Sequence, residues 1–317
     1  MKKYHPPKSL LPDISDANTF MGLPEMKNLE DEIDFVVVGL PWDGGVSNRA
    51  GASKAPKKIR KISTSLRAVN TYHNLNIFEH LSGVDYGDIP FIIIENDIKH
   101  FIKYVSKEYE KIAKYDVVPF TIGGDHSVTY PELIGLAKIH GPLSLIHFDA
   151  HFDNLDKVDG EKYYGHGSFV IRALEDKLID PEKSIQIGIR GSNYATHEER
   201  KMGLELISME EFDEMGIDWT IQEIRKRVGD SKSFVSLDID AISPAYAPGT
   251  GTPEPGGFTD REIIKLVRGL SGMNLVGADL VEVSPEWDSK GDMTSYLAST
   301  LLHEMISLKA VYEKNKL

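Results

Sequence analysis

Length, composition and charge already exclude several classes of protein. The chain has 317 residues, 41% hydrophobic and 27% charged, which is typical of an ordinary globular protein and not of a fibre or a disordered chain. Its 49 acidic and 36 basic side chains give a formal net charge of −13, which disfavours binding to nucleic acid through phosphate contacts.

The absence of cysteine restricts the chemistry further. With no Cys in the chain, there is no disulfide framework, no thiolate zinc site and no thiol nucleophile, so any metal must be held by His and carboxylates. The first residues lack the apolar stretch of a secretory signal, and no apolar run approaches the ~20 residues that span a bilayer. We therefore expect a soluble, cytoplasmic protein with no membrane or nucleic-acid partner.

Short apolar runs alternate with helical patterns along the chain. Six runs are predicted as buried parallel strands: 35–39, 117–122, 143–148, 185–189, 234–237 and 275–278. Helical spacing predicts a helix over about 96–115, capping-box patterns predict helix starts at 208–211 and 259–262, and an apolar stretch predicts a last helix over 298–306. This alternation predicts an α/β fold in which helices cover both faces of a mostly parallel sheet. With no break in composition, we predict one domain over 1–317, with 1–33 as an N-terminal extension packed on it.

Polar clusters follow several of these strands, at the edge where open α/β sheets bind ligands. His126 follows a Gly-Gly turn after the second strand. The D-x-H-x-D pattern after the third strand places Asp149, His151 and Asp153 on one side if the strand stays extended. Two unpaired carboxylates would repel each other there, and a divalent cation would remove that cost.

Two further clusters follow the last two predicted strands. Asp238 and Asp240 are predicted to share a strand face, and the Pro/Gly-rich run 248–257 is predicted to form a shaped wall of a pocket. Glu282 ends the last strand. A lone acid in this position is usually a cap or an ion-pair partner, and only the neighbouring polar clusters suggest a functional role for it. Arg190, after the fourth strand, is predicted to make an ion pair within or between subunits.

Together these clusters offer nitrogen and oxygen ligands without sulfur. Six side chains with shared carboxylates suit two ions held roughly 3.5–4 Å apart around one water. Oxygen-rich ligation with some imidazole favours Mn²⁺, with Co²⁺, Ni²⁺ or Fe²⁺ as alternatives, and suits Zn²⁺ less well. The predicted metal ligands are His126, Asp149, His151, Asp153, Asp238 and Asp240.

The motifs that carry these ligands resemble a known family. G-G-D-H-S, D-A-H-F-D and S-L-D-I-D followed by P-G-T-G-T-P-E-P-G-G are similar to the three signatures of the ureohydrolases: arginases, agmatinases and guanidino-acid hydrolases. The resemblance covers most of the chain, from 39 to 285. It implies a three-layer α/β/α fold with a mostly parallel sheet of about eight strands, a centre of two Mn²⁺ ions in each subunit, and a homotrimer or homohexamer.

The resemblance also implies how the six ligands divide between the two ions, with Asp149 and Asp238 bridging. The first set is His126, Asp149, Asp153 and Asp238, and the second is His151, Asp149, Asp238 and Asp240.

Catalytic roles are implied in the same way. His166 matches the family's proton-shuttling histidine, and Glu282 matches the acid that pairs with the substrate guanidinium, so both are predicted to bind substrate. Asp153 is predicted to accept and pass a proton. The products would be urea and a primary amine, and the absence of Cys excludes the covalent cysteine route to the same cleavage.

The substrate is left open by departures from the family pattern. Ser243 stands where the family usually has Asp, and Ser168 follows the His-Gly pair where arginases have another motif. Gly249 favours the agmatinase and guanidino-acid branch over arginase. The loop 154–165 contains three acidic residues that would attract the ammonium of agmatine and two lysines that would attract a carboxylate, and a solvated surface is the alternative for all five: Asp156, Asp159, Glu161, Lys157 and Lys162.

We therefore predict hydrolysis of agmatine to putrescine, a step of polyamine biosynthesis, narrowly ahead of a guanidino-acid hydrolase that acts on 4-guanidinobutyrate or 3-guanidinopropionate. A second alternative is a metal-binding assembly subunit without catalysis. The presence of all six predicted ligands together with His166 and Glu282 argues against that alternative.

Overall fold

The computed structural model describes residues 2–6, 18–29, 32–90, 98–192, 196 and 200–316. The strands within these residues are β1 (Phe35–Gly39), β2 (Val69–Asn70), β3 (Leu75–Asn76), β4 (Gly83–Asp88), β5 (Val118–Ile122), β6 (Ser144–Phe148), β7 (Lys157–Val158), β8 (Glu161–Lys162), β9 (Ile185–Ile189), β10 (Glu205–Ser208), β11 (Ser233–Asp238) and β12 (Leu275–Val281).

Eight of these strands form one central sheet in the order β10-β9-β6-β11-β12-β5-β1-β4. Every neighbouring pair is parallel. The remaining strands pair as two short antiparallel hairpins, β2–β3 and β7–β8. The predicted α/β class, with a mostly parallel sheet of about eight strands, is confirmed.

The near-continuous apolar runs reflect burial on both faces of the sheet. Successive side chains of a strand point to opposite faces, so Phe35 and Val37 pack in one core, whereas Val36 and Val38 pack in the other. Each of these four side chains is fully buried. All six predicted strands are therefore present, shifted by at most a few residues at their ends.

Helices cover both faces of the sheet. The α-helices of the described residues are α1 (Ala55–Ser63), α2 (Ile77–His80), α3 (Ile98–Lys114), α4 (Thr129–His140), α5 (Phe169–Glu175), α6 (Met209–Met215), α7 (Ile217–Val228), α8 (Asp260–Gly269) and α9 (Met293–Lys316). α3, α4 and α5 bury their apolar residues in one core, and the other six bury theirs in the opposite core. This is the predicted three-layer α/β/α arrangement.

The predicted helix starts are also found. Thr259 caps α8 with a complete capping box, because its side chain accepts from the Glu262 amide while Glu262 accepts from the Thr259 amide. Ser208 caps α6 through the Glu211 amide. No helix in the described part of the chain is long and apolar enough to cross a membrane.

Sequence patterns missed the two edge strands, β4 and β10. An edge strand pairs on one side only and tolerates polar residues, so neither has the continuous apolar character that marks the central strands. The predicted extension 1–33 lies partly outside the described residues. In its described part, the Met26 amide donates to the Asp85 carbonyl on β4, and the Lys2 amide donates to the Phe78 carbonyl.

The sheet order brings the predicted clusters together. β6, β11, β12 and β5 are consecutive neighbours, and their carboxyl ends lead into the clusters at 149–153, 238–240, 282 and 123–126 respectively. β5 and β6 follow each other in the chain yet are separated in the sheet by β11 and β12, which is the switch in strand order where such sheets open a ligand crevice.

The Gly-Gly turn after β5 needs its second glycine for close packing. A Cβ on Gly124 would lie 1.6 Å from the Trp42 carbonyl oxygen, which accepts the Asp125 amide, whereas a Cβ on Gly167 would meet nothing within 4 Å.

We predict that Gly124→Ala lowers the free energy of unfolding by about 1–3 kcal/mol or more, since the backbone must shift. The control variant Gly167→Ala should leave it nearly unchanged. Denaturant unfolding of both variants measures the difference, and equal stabilities would contradict the assigned packing.

Candidate metal centre and active site

Three carboxylates surround one nitrogen of His126. Its Nδ1 lies 2.9 Å from Oδ2 of Asp153 and 3.1 Å from Oδ2 of both Asp149 and Asp238. All four side chains are buried. Nδ1 nevertheless makes no hydrogen bond to any residue that the structure describes. A buried nitrogen without a partner among three acid oxygens is the geometry of ligand atoms arranged around a shared cation.

Hydrogen bonds on the other side of the ring fix where its proton lies. Ser236 Oγ donates to Oδ1 of Asp279 at 2.7 Å, so the serine oxygen is left to accept from Nε2 of His126 at 2.8 Å. Nε2 therefore carries a hydrogen, and Nδ1 is the nitrogen that faces the carboxylates and is available to a metal. Metal-binding histidines are oriented in this way by a partner on their second nitrogen.

A second acid-rich cluster adjoins the first. His151 Nδ1 lies 3.0 Å from Oδ2 of Asp240 and 3.4 Å from Oδ1 of Asp149. Asp149 thus directs one oxygen to each histidine, as a bridging carboxylate must. The contacts of Asp238 support its place in the first set, and its bridging role stays a prediction.

The backbone brings these residues together by turning, not by staying extended. β6 ends before Asp149, whose Oδ1 accepts the His151 amide at 2.6 Å, and Asp153 has a left-handed φ of 50°. Asp238 is the last residue of β11 and caps a single 3₁₀ turn, with its Oδ1 accepting the Asp240 amide at 2.7 Å. The expectation of a shared strand face was therefore wrong at both motifs, because each aspartate binds the amide two residues on and bends the chain.

The donor set of the two clusters fits a pair of divalent cations. Burial raises the pKa of Asp238 well above its ordinary range, and the carboxylates of Asp240 and Asp149 raise it further. Bound cations would remove this repulsion, and Nδ1 of His126 would bind one of them. Because every donor atom is nitrogen or oxygen, hard or borderline ions such as Mn²⁺ suit the site.

Glu282 and His166 lie beside this centre. Oε1 of Glu282 accepts the His126 amide at 2.9 Å and lies 2.9 Å from Nδ1 of His166. Its Oε2 is buried and has no hydrogen-bond partner among the described residues. Glu282 has a left-handed φ of 61°, a strained conformation typical of functional positions. Burial lowers the pKa of His166, but the hydrogen bond and charge of Glu282, together with the nearby Asp153 and Asp125, outweigh burial and raise the pKa to about 9.

An open cavity of about 510 Å³ leads to these groups. Its walls include His126, His151, Asp153, His166 and Asp238 together with Ser47, Tyr163, Arg200 and Thr252. Thr252 comes from the Pro/Gly-rich run, which therefore contributes to the cavity wall as predicted.

Arg190 holds that wall in place. Its guanidinium donates to five backbone carbonyls, those of Gly188, Asp240, Ala241, Glu254 and Pro255, at 2.6–3.2 Å. No carboxylate of the described residues pairs with Arg190, so the predicted ion pair is not found within the subunit, and the alternative of a pair between subunits stays a prediction. Backbone carbonyls replace the expected acid, and two of them, those of Glu254 and Pro255, belong to the Pro/Gly-rich loop, whose backbone forms no regular ladder.

Sequence reasoning missed a third buried histidine. Nε2 of His147 lies 2.8 Å from Oδ2 of Asp149, close enough for His147 to be grouped with the metal ligands. However, the Gln186 amide donates both to Nδ1 of His147 and to the Phe152 carbonyl, so the His147 proton lies on Nε2 and points to Asp149. His147 therefore orients a ligand. Its position two residues before Asp149 in a buried strand was the available signal.

The five charged residues of the loop 154–165 lie outside the cavity wall. Asp156 pairs with Arg172, and Lys162 pairs with Glu175 at 2.6 Å. Lys157, Asp159 and Glu161 are exposed around the β7–β8 hairpin. None of the five lines the cavity formed by the described residues. The alternative of a solvated surface therefore fits them best, and they lend no support to either agmatine or a guanidino acid.

A parallel α/β sheet with paired His and Asp clusters at its carboxyl edge defines a metal-dependent hydrolase. A model of the arginase family matches residues 33–307, and the chain belongs to that family. It is 39% identical over 303 residues to a guanidinopropionase of Pseudomonas aeruginosa, covering 95% of this chain and 94% of that protein. It is 40% identical over 277 residues to a mitochondrial agmatinase of Gallus gallus, covering 86% and 80%. The structure of proclavaminate amidino hydrolase from Streptomyces clavuligerus superposes with a TM-score of 0.89 at 37% identity, covering 95% and 100% of the two chains. The chain is thus a ureohydrolase-type enzyme.

The serine behind His126 provides a test of the metal centre. Ser236→Ala removes the acceptor of the Nε2 proton, and we predict a loss of about 10- to 100-fold in Mn²⁺ affinity, measured by calorimetric titration of chelator-stripped protein. Ser144→Ala on the adjacent strand is the matched control, because this buried hydroxyl has no partner among the described residues. Equal affinities for the two variants would contradict the role of Ser236.

Proposed function

We propose that this enzyme hydrolyses a guanidino compound to urea and a primary amine at a centre of two Mn²⁺ ions. The observation that carries the proposal is the buried, unpartnered Oε2 of Glu282 beside the two acid-rich clusters. A planar cation with several N–H donors is the group that such an oxygen accepts best. Gly251 supports this assignment, because its missing side chain leaves space beside Oε2, where a Cβ would lie at 3.5 Å.

The metal ions would be held by the six predicted ligands: His126, Asp149, Asp153 and Asp238 around one, and His151, Asp149, Asp238 and Asp240 around the other. When bound, paired ions of this kind lower the pKa of a water molecule toward neutrality and so supply a nucleophile. Glu282 binds the guanidinium and fixes the carbon next to the two clusters, which converts a chance encounter into a defined geometry.

Proton transfer is assigned to two residues on the cavity wall. Asp153 accepts a proton as the attacking water adds to the guanidinium carbon. His166 holds a proton at neutral pH and donates it to the departing amine. This proton lies on Nδ1, 2.9 Å from Oε1 of Glu282, because Nε2 accepts the Ser47 backbone amide at 3.2 Å. The proton therefore faces the carboxylate that is proposed to bind the guanidinium.

The sequence narrowly favours agmatine as the substrate, with a guanidino acid as the alternative. The charged residues of the loop 154–165 do not decide between the two, because its acids and its lysines alike lie outside the cavity wall. The relatives do not decide between the two, since proteins named for guanidinopropionate and for agmatine are 39% and 40% identical to this chain. The organisation as one domain, the homotrimer or homohexamer and the cytoplasmic location stay predictions from the sequence.

The role of Glu282 is tested by a change that keeps its shape. Glu282→Gln removes the negative charge that binds the guanidinium, and we predict a loss of about 10- to 150-fold or more in kcat/KM for urea release, in line with a charged hydrogen bond. Mn²⁺ affinity should stay the same, because Glu282 is not a predicted ligand.

The matched control is Glu286→Gln, an exposed acid that pairs with Lys54. This variant should behave as the wild type. If Glu282→Gln released urea at the wild-type rate, or lost its metal, the assignment would fail.

The role of His166 is tested by the pH dependence of turnover. Its raised pKa means that the ring is protonated below about 9 and loses its proton above, so kcat should fall as the pH rises through that value. His166→Asn should abolish this alkaline limb and lower kcat by about 10²- to 10⁴-fold. An alkaline limb unchanged in the variant would show that another group titrates.

A further inference from the structure

An arginine lies in the wall of the cavity that leads to the predicted metal ligands. Among the described residues that line it, Arg200 alone carries a permanent positive charge. Its Nε is buried without a hydrogen-bond partner, and no carboxylate of the described residues forms an ion pair with its guanidinium. In a chain with 49 acidic residues and a net charge of −13, an arginine that pairs with no acid of the described part of the chain needs another explanation.

The segment that carries the metal cluster holds Arg200 in position. The Asn154 side-chain amide donates to the Arg200 carbonyl at 2.7 Å, and the Arg200 guanidinium carbon lies 5.5 Å from the centre of the Phe152 ring. Asn154 and Phe152 flank Asp153, whose Oδ2 contacts His126. Arg200 is therefore tied to the same turn as a predicted metal ligand, so its place relative to the centre is fixed by the fold.

We propose that Arg200 binds the carboxylate of the substrate, and that the substrate is an ω-guanidino acid. This inference rests on the proposed function. Glu282 offers its unpartnered Oε2 to the guanidinium end of the substrate. Arg200 lies in the wall of the cavity that is also lined by His166, the neighbour of Glu282, and offers its guanidinium to a carboxylate. An arginine fork matches a carboxylate with two parallel hydrogen bonds.

Agmatine differs from 4-guanidinobutyrate at that end, because it has an ammonium where the acid has a carboxylate. Arg200 would repel the ammonium, and the cavity offers it no acid outside the predicted metal ligands among the described residues. Like-charge juxtaposition of this kind excludes a wrong ligand as effectively as a good contact selects the right one. Arg200 is thus a specificity-determining residue.

Steady-state kinetics on four substrates separates this role from a structural one. We would measure kcat/KM for urea release from 4-guanidinobutyrate, 3-guanidinopropionate, agmatine and n-butylguanidine, whose tail is uncharged, with Mn²⁺-loaded protein. The wild type should prefer one of the acids to agmatine by about 100-fold or more. Arg200→Met should lower kcat/KM for that acid by about 10- to 100-fold, mainly through KM, and leave n-butylguanidine within about twofold.

Two further variants control for charge and folding. Arg200→Lys keeps the charge without the fork and should retain part of the preference for the acid. Arg261→Met removes an exposed positive charge on α8, outside the cavity wall, and should match the wild type on all four substrates.

Three outcomes would overturn the inference. An equal loss for n-butylguanidine and the acids in Arg200→Met would make Arg200 a structural residue. Faster cleavage of agmatine than of either acid by the wild type would reject the substrate class while leaving the proposed function intact. Urea from none of the four substrates, with Mn²⁺ bound, would reject the proposed function itself and this inference with it.

Discussion

Mutual repulsion among buried carboxylates is the constraint on which the rest of this structure depends. Asp149, Asp153, Asp238 and Asp240 lie within a few ångströms of two imidazoles at one edge of the sheet, all of the acids buried. Burying several like charges together is costly unless protons or cations compensate, and the raised pKa of Asp238 expresses that cost. Divalent cations would remove the repulsion while keeping every acid ionised, which favours a metal centre at this edge of the sheet.

The surroundings are built to meet that constraint. Parallel strands bring all their carboxyl ends to one edge, so residues far apart in the chain converge where β5, β12, β11 and β6 lie side by side. Behind the acids, Ser236, Asp279, His147 and Gln186 fix which ring nitrogens carry protons. These interactions determine which atoms can bind a metal, so the ligand geometry is established before any ion arrives.

Much of this could be predicted from the sequence. Buried central strands show as apolar runs, and chemistry-bearing motifs at their ends show as short alternations of His and Asp. The edge strand β4 was missed because Gly83, Asp85, Gly87 and Asp88 interrupt the apolar pattern that marks the central strands. His147 was missed because the role of a single histidine inside an apolar strand is ambiguous from sequence. Its role becomes clear only when the fold places Gln186, 39 residues away in the chain, beside it. The role of Arg200 could not be predicted from the sequence, because it depends on the cavity that the residue lines in the folded protein.

Anomalous scattering from crystals soaked in Mn²⁺ tests the central claim most directly. Two manganese peaks, roughly 3.5–4 Å apart, should lie between Nδ1 of His126 and Nδ1 of His151, with Asp149 contacting both. A single peak outside the two clusters, or no peak at saturating Mn²⁺, would contradict the account.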